Sequence, residues 1–510
     1  MSRPAVKPSL CYLVLVLIRL IILLTSTSFI HPDEHFQNTE IAISDVFGLI
    51  NVTRSWEWSK PDISDANSQA FGGHAVRSIV PIYATSHLGL KLLKFFSELG
   101  VLNLSTRNLV TAPRLVLFLL SILLELLIFR VTRSFTAVLL LASSLSNLLF
   151  ASRTFSNSLE YILLSSSILL STRLYSGRFK LFSLVVWTFI NIFAIWVRVS
   201  FLAFSIPIIL GLSFSLIIKS YRYFTTAVIV STLTVAVLVT VDSIYFGHWP
   251  SITPLRLLIY NLDRRNLAIH GTHPRWLHLL ANGPIIFGPA LWILGLGYIL
   301  KHLKSIHRKT TIVQLSMVTF LSGTLLLSTQ PHQEPRFLLP LALPLSIMVA
   351  KIINKMKPKF KKIFWSIHIS YSIISVILFG YLHQGGLQPS LSRLNPELDL
   401  CISWITFDVP STLIESGHMK VKNLRGATRD EFLKELHVFN ERNIKNVWLL
   451  APQWAIEEDI EKDLLELKWK SQTIHLDLDR LDSILKAGYS KSGMGIWKVN
   501  LNKLNSTRDI

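Results

Sequence analysis

Cysteine is almost missing from this chain. Two stand in 510 residues, Cys11 at the start of the first hydrophobic stretch and Cys401 far downstream. A disulfide between them is not expected, and the pair says little about redox compartment. Charge is scarce too: 16% of residues are charged, against about 25% in soluble globular proteins. Acidic residues are the scarcer sign, 31 against 51 Lys and Arg, for a net charge of +20. That balance would suit a nucleic-acid binder if the basic residues lined one face. Instead they cluster at 173–180, 219–222, 301–309 and 351–362, between apolar runs. Such clusters read as cytoplasmic loops under the positive-inside rule, so nucleic acid is not an expected partner.

What the chain has in abundance is apolar sequence, 50% of residues, with a mean hydropathy of +0.46. A membrane span takes about 20 apolar residues. Such runs lie at 10–30, 109–129, 135–151, 157–172, 181–198, 199–218, 224–246, 283–300, 311–328, 337–353 and 363–382. Segment 76–97 is apolar but carries Arg77, His87, Lys91 and Lys94. With the basic clusters in the cytoplasm, the topology closes if 76–97 lies in the membrane interface, leaving about eleven spans. Loops 31–75, 247–282 and 329–336 then share the opposite face with the glycosylation sequons at Asn51, Asn103 and Asn505. The first run lacks a small-residue cleavage site and is read as a retained span.

The expected fold is a polytopic α-helical membrane protein with a small α+β C-terminal domain on the luminal side. Residues 1–382 form the multi-span domain, in which 31–108 is a first luminal loop with interfacial helices; 383–510 form the second domain. In that second part charges become frequent. Segment 456–467 has helical spacing, 473–479 alternates like a strand, and 447–450 and 496–499 are strand-like. No inverted repeat of the transporter kind is visible.

The first luminal loop is acidic in a basic chain, with Asp33, Glu34, Glu40, Asp45, Glu57, Asp62 and Asp65 against Arg54 and Lys60. Trp56 and Trp58 suit a stretch lying on the membrane surface. The loop opens with His31-Pro32-Asp33-Glu34-His35-Phe36-Gln37, two carboxylates between two histidines where a span leaves the bilayer. A simple anchor needs aromatic or basic residues there. Pro32 halts the helix and turns the chain. One carboxylate is a candidate general base, its pKa lifted by a like charge and partial desolvation; the alternative is a solvated helix start with first-turn acids.

Three further clusters fall in loops on the same face. Phe71-Gly-Gly-His74-Ala-Val-Arg77 puts His74 and Arg77 three apart, as ligands for a phosphate or sugar, or with Arg77 snorkelling. Asn261 precedes Asn266-Leu-Ala-Ile-His270-Gly-Thr-His273-Pro-Arg275-Trp-Leu-His278. His270 and His273 do not match a zinc pattern and lack thiol partners, so no metal is expected; hydrogen-bond donors for a phosphate fit better. Gln330-Pro-His332-Gln333-Glu334-Pro-Arg336-Phe337 fixes His332, Glu334 and Arg336 between prolines. A carboxylate base and cationic loops bordering lipid suit transfer from a lipid-linked phosphosugar. A secondary transporter, with midplane charges in broken spans, and a non-catalytic scaffold fit the loop clusters less well.

His-Pro-Asp-Glu-His-Phe-Gln and His-Gln-Glu-Pro-Arg-Phe-Leu-Leu-Pro together resemble glycosyltransferase family 22, the multi-span endoplasmic-reticulum mannosyltransferases that use dolichyl-phosphate mannose. The resemblance runs from about 29 to 345 and implies a GT-C type fold. The family's late motif is usually His-Lys-Glu-x-Arg-Phe; Gln333 stands here for the lysine, so His332 and Arg336 must supply its charge. That variant, with Asn-Leu-Ala-Ile-His-Gly-Thr-His-Pro-Arg-Trp, is most similar to members that add the fourth, α-1,2-linked mannose to the third mannose of the GPI anchor precursor. Members acting on the third GPI mannose or the N-glycan precursor are the alternative.

By resemblance, Asp33 is the catalytic base, with Glu34 supporting it or sharing the role. His31, His35, Gln37, His74, Arg77, Asn261, His270, His273, Arg275, His332, Glu334 and Arg336 are the substrate-binding candidates. A β-linked mannosyl donor and an α-linked product imply inversion in one displacement. No cofactor, metal or obligate protein partner is expected; the partners are the two lipid-linked substrates and membrane lipid.

Overall fold

The computed structural model describes residues 8–49, 52, 54–58, 75–176, 181–219, 221–263, 265–266, 271–305, 311–394, 400–414, 420–442, 444, 446–456 and 464–504. Among the described residues, six helices are long and apolar enough to cross a membrane: Pro8–Thr25, Thr106–Thr132, Phe201–Ile218, Tyr221–Phe246, Pro335–Ile353 and Pro358–Leu382. Leu181–Val197 and Ile312–Ser328 are shorter apolar helices. The protein is a multi-pass membrane protein.

Several expected spans are interrupted, each for a local reason. The first helix stops at Thr25, and residues 26–31 leave it without regular structure. The run 135–151 is no single rod: Phe135–Ala142 and the helix from Leu145 meet at a 62° bend. Ser143 and Ser144 sit in the break. Their hydroxyls donate to the carbonyls of Leu139 (2.6 Å) and Leu141 (2.7 Å), competing with the helical ladder. The run 283–300 breaks at Gly288, whose φ of 86° is open to glycine, with Pro289 starting the next helix. Segment 76–97 forms two helices, Val80–Ala84 and Ser86–Glu98, parted at Thr85.

The described residues fall into two compact units. The first comprises Met1–Ile21, Ser55–Thr85 and Leu115–Ile373, and is helical. Arg19 and Glu125, ionisable groups within its apolar helices, are buried and paired. Arg19 donates to Glu125 (2.6 and 2.8 Å) and to Ser121 (2.6 Å), while Asn147 and Tyr12 also donate to Glu125. Such groups are costly in hydrocarbon and so face protein partners. Trp58, expected on the membrane surface, is buried, 6.4 Å from the Phe246 ring; Trp56 stacks on Tyr260 at 4.5 Å. Packing against protein gives the indole of Trp58 an apolar surrounding without lipid.

The second unit comprises Ile22–Arg54, Ser86–Arg114 and Ile374–Ile510. Its sheet has β1 (Leu400–Trp404), β2 (Lys420–Leu424), β3 (Val447–Pro452), β4 (Leu465–Ile474) and β5 (Gly493–Val499) in the order β2-β1-β3-β5-β4. β1 pairs in parallel with β2 and β3; β5 pairs antiparallel with β3 and β4. The core holds Trp404, Phe432, Leu449 and Trp497, with Trp404 stacked on Phe432. Helix Arg429–Glu441 starts at a capping box between Thr428 and Glu431.

The strand-like segments 447–450 and 496–499 lie within β3 and β5. The other two expectations shift. β4 takes 465–467, read from spacing as the end of a helix, because Leu465 pairs with Val499 of β5; residues 457–463 lie outside the described residues. β4 ends at Ile474, so most of 475–479 is not strand; residues 478–480 form a 3₁₀ turn.

Candidate active site

In the second unit the acidic motif is built on a turn. Pro32 opens it, and its carbonyl accepts from the amides of His35 (2.9 Å) and Phe36 (3.0 Å). A π-turn, His35–Thr39, leads into helix Glu40–Phe47. The turn separates the two adjacent carboxylates. The Asp33 side chain is 30% exposed beside His31, whose Nδ1 lies 3.5 Å from Oδ1. That Nδ1 accepts from the Asp33 amide at 3.1 Å, so a neutral His31 carries its proton on Nε2. Glu34 is 0% exposed and takes both Nε (2.8 Å) and Nη2 (2.7 Å) of the equally buried Arg114 on one oxygen. His35 is buried and stacks on Phe29 at 4.4 Å; Gln37 is buried too.

Further along the same turn, Glu40 is buried and accepts from the amide and hydroxyl of Ser411 and of Thr412. Burial pushes its carboxyl up to about 7, with those four hydrogen bonds opposing. Phe407 lies 6.3 Å from the His31 ring and 5.6 Å from His383, with the Arg425 guanidinium over it at 4.8 Å. Nothing in the sequence linked these residues to His31.

In the first unit the late motif meets the histidine loop. His332 lies 2.8 Å from Glu334, which also takes Arg336 at 2.5 and 3.0 Å. The Arg336 guanidinium lies over Phe155 and Phe337. The His273 amide donates to the Pro331 carbonyl (2.7 Å), and its Nδ1 accepts from the Gln333 amide (3.2 Å). The rings of His273 and His332 are 5.6 Å apart.

Two more arginines of this unit belong to the same electrostatic cluster. Arg198 pairs with Glu160 at 3.2 Å, lies over Phe337, and interacts by charge with Arg77, Arg336 and Glu334. Arg77 is held by Glu57 at 2.8 and 2.9 Å. Three arginines therefore face three glutamates, and the cluster is formally neutral when all are ionised. An anion arriving there competes with built-in carboxylates rather than entering a bare cationic cradle.

The remaining candidates are dispersed. Arg275 is exposed, and Asn261 is partly buried on helix Thr253–Leu262. Asn103 is exposed, its side chain bonded to Asn108. His74, His270, Asn51 and Asn505 lie outside the described residues. Glu57, Arg114, Glu160 and Arg198 are not among the site candidates named from the sequence. A signal is present for three of them: Arg114, Glu160 and Arg198 are charges within apolar runs, Arg114 sharing its run with Glu125.

A family model, the Alg9-like mannosyltransferase family, matches residues 10–412. The chain belongs to that family. It is therefore a glycosyltransferase, in keeping with its two motifs. Among its relatives are GPI mannosyltransferase 4 of Candida glabrata, 27% identical over 93% of this chain and 96% of that one, and of Candida albicans, 30% identical over 92% and 95%. GPI alpha-1,2-mannosyltransferase 4 of Homo sapiens is 29% identical over 73% of this chain and 68% of that one. Alignments this long carry the likeness past residue 345, where the motifs alone had left it. Among solved structures, ArnT from Cupriavidus metallidurans bound to undecaprenyl phosphate superposes with a TM-score of 0.54 at 11% identity, covering 95% of this chain and 97% of that one. At that identity the match shows a shared fold for this Alg9-like mannosyltransferase and nothing finer.

Proposed function

We propose that this Alg9-like mannosyltransferase moves mannose from dolichyl-phosphate mannose to the third mannose of the GPI anchor precursor, forming an α-1,2 link with inversion. The relatives named GPI mannosyltransferase 4 and GPI alpha-1,2-mannosyltransferase 4 support a GPI acceptor and the α-1,2 link; the resemblance in the two motifs supports the mannosyl donor. The chain works in the endoplasmic-reticulum membrane with about eleven spans, its acidic motif on the luminal side. Asp33 takes the proton of the acceptor hydroxyl as that oxygen attacks the anomeric carbon. The bond from that carbon to the lipid phosphate breaks as the new one forms. By resemblance, His273, His332 and Arg336 are binding residues of the lipid-linked donor, and their hydrogen-bond donors suit a phosphate. No metal takes part.

The observation that carries the base assignment is the contrast between neighbours: Asp33 is partly exposed, whereas Glu34 is sealed and ion-paired with Arg114. A base must reach its substrate's proton. Microsomes carrying Asp33→Asn at normal expression are expected to leave the three-mannose GPI precursor unextended. Normal elongation by that variant would sink the assignment. Cells depleted of the protein are expected to accumulate the three-mannose intermediate; a truncated N-glycan precursor in its place would overturn the acceptor.

A further inference from the structure

We infer that His278, which closes the histidine cluster but is not among the named binding candidates, is a further ligand of the mannosyl donor's phosphate, held as a neutral Nε2–H donor by Asn282 and Gln333. The inference rests on the phosphosugar reading above. His278 is 0% exposed. Its Nδ1 lies 3.1 Å from the Asn282 amide nitrogen. An amide NH₂ only donates, so Nδ1 accepts and the proton sits on Nε2. Among the described residues that Nε2 has no hydrogen-bond partner. A fully buried N–H left unspent costs stability, and native proteins keep few of them without a reason.

The surroundings say what the group waits for. The His278 amide donates to Gln333 Oε1 at 3.1 Å, and the Gln333 amide group donates to the carbonyls of Ser328 (3.3 Å) and Gln330 (3.1 Å). One buried side chain thus pins the start of the 278–282 turn to the loop bearing His332, Glu334 and Arg336. A lysine has no acceptor and cannot take Oε1's place. His273 follows the same logic: its Nδ1 accepts from the Gln333 main chain, which puts its proton on Nε2 as well. His278 lies close enough to His273 and His332 to interact with both. A metal needs a bare imidazole nitrogen, and both rings have theirs engaged by an amide. Two Nε2–H groups tied to the loop that carries Arg336 are instead a set of hydrogen-bond donors for phosphate oxygens.

Glutamine and asparagine separate ligand from scaffold. The amide nitrogen of Gln reproduces Nε2 of histidine; that of Asn reproduces Nδ1. Full-length protein in detergent is titrated with dolichyl phosphate, and each variant is passed through size exclusion to check its folding. His278→Gln is expected to bind within about threefold of wild type, and His278→Asn about tenfold or more weakly. The KM for dolichyl-phosphate mannose should rise with the loss, while the acceptor's KM stays put. Equal binding by the Asn variant and wild type, or equal losses in both variants, overturns the inference alone. Failure of the wild-type chain to bind dolichyl phosphate overturns the phosphosugar reading and this inference with it.

Discussion

Asp33 and Glu34 share a peptide bond, yet they meet different physics. Glu34 lies beside Arg114 with both side chains sealed from solvent, and a buried charge that loses its partner has no water to replace it. Glu34→Gln or Arg114→Met alone should therefore cost about 3–5 kcal/mol. The double substitution, which leaves no orphaned charge, should recover much of that loss; thermal unfolding in detergent measures both. Asp33→Asn should leave the melting temperature near wild type and lower mannosyl transfer by about 10²–10⁴-fold, the usual range for a lost general base. Their spacing alone does not choose between the two carboxylates, and the preference for Asp33 in the sequence comes only from resemblance. In the structure their partners divide them, and Arg114 is 80 residues away from Glu34 along the chain.

At the scale of elements, three π-turns stand among the described residues, at His35–Thr39, His278–Asn282 and Leu378–Leu382. Each adjoins residues already singled out: the acidic motif, the buried His278, and His383 beside Phe407. A π-turn shifts one residue out of helical register, and such turns gather at functional sites. The second is braced from outside, since the Trp292 indole donates to the Leu279 carbonyl at 2.8 Å. Gly283 lets that indole approach: a Cβ there would lie 2.2 Å from Trp292 Cε2. Gly283→Ala should push the indole off, destabilise the protein by about 1–3 kcal/mol and raise the KM for the mannosyl donor. An unchanged melting curve would show that Trp292 is no brace. Periodicity alone read straight spans through 135–151 and 283–300, because hydropathy counts apolar residues and does not register serines that bond backwards or a proline after glycine.

At the scale of the molecule, the second unit gathers segments far apart in sequence, and Glu40 ties two of them. It holds Ser411 and Thr412 with a carboxyl whose pKa burial raises from 4.5 to about 7. The folded state therefore favours the protonated acid. Its stabilising contribution is complete below the unfolded value of 4.5 and fades as pH climbs through 7. Thermal stability should decline across that window, and Glu40→Gln, neutral throughout, should flatten the decline. A slope unchanged by the substitution would assign the titration elsewhere. By itself the sequence determined the membrane class, from its apolar runs, and the family, from two motifs whose residues are contiguous. It also marked β3 and β5, whose apolar strands are buried whichever partner they find. Tertiary structure alone decided which carboxylate is sealed, that Arg77, Arg198 and Arg336 each meet a glutamate, and which nitrogen of His278 bears the proton. Those properties belong to pairs of residues brought together by folding, and a linear chain records the members of a pair but not their meeting.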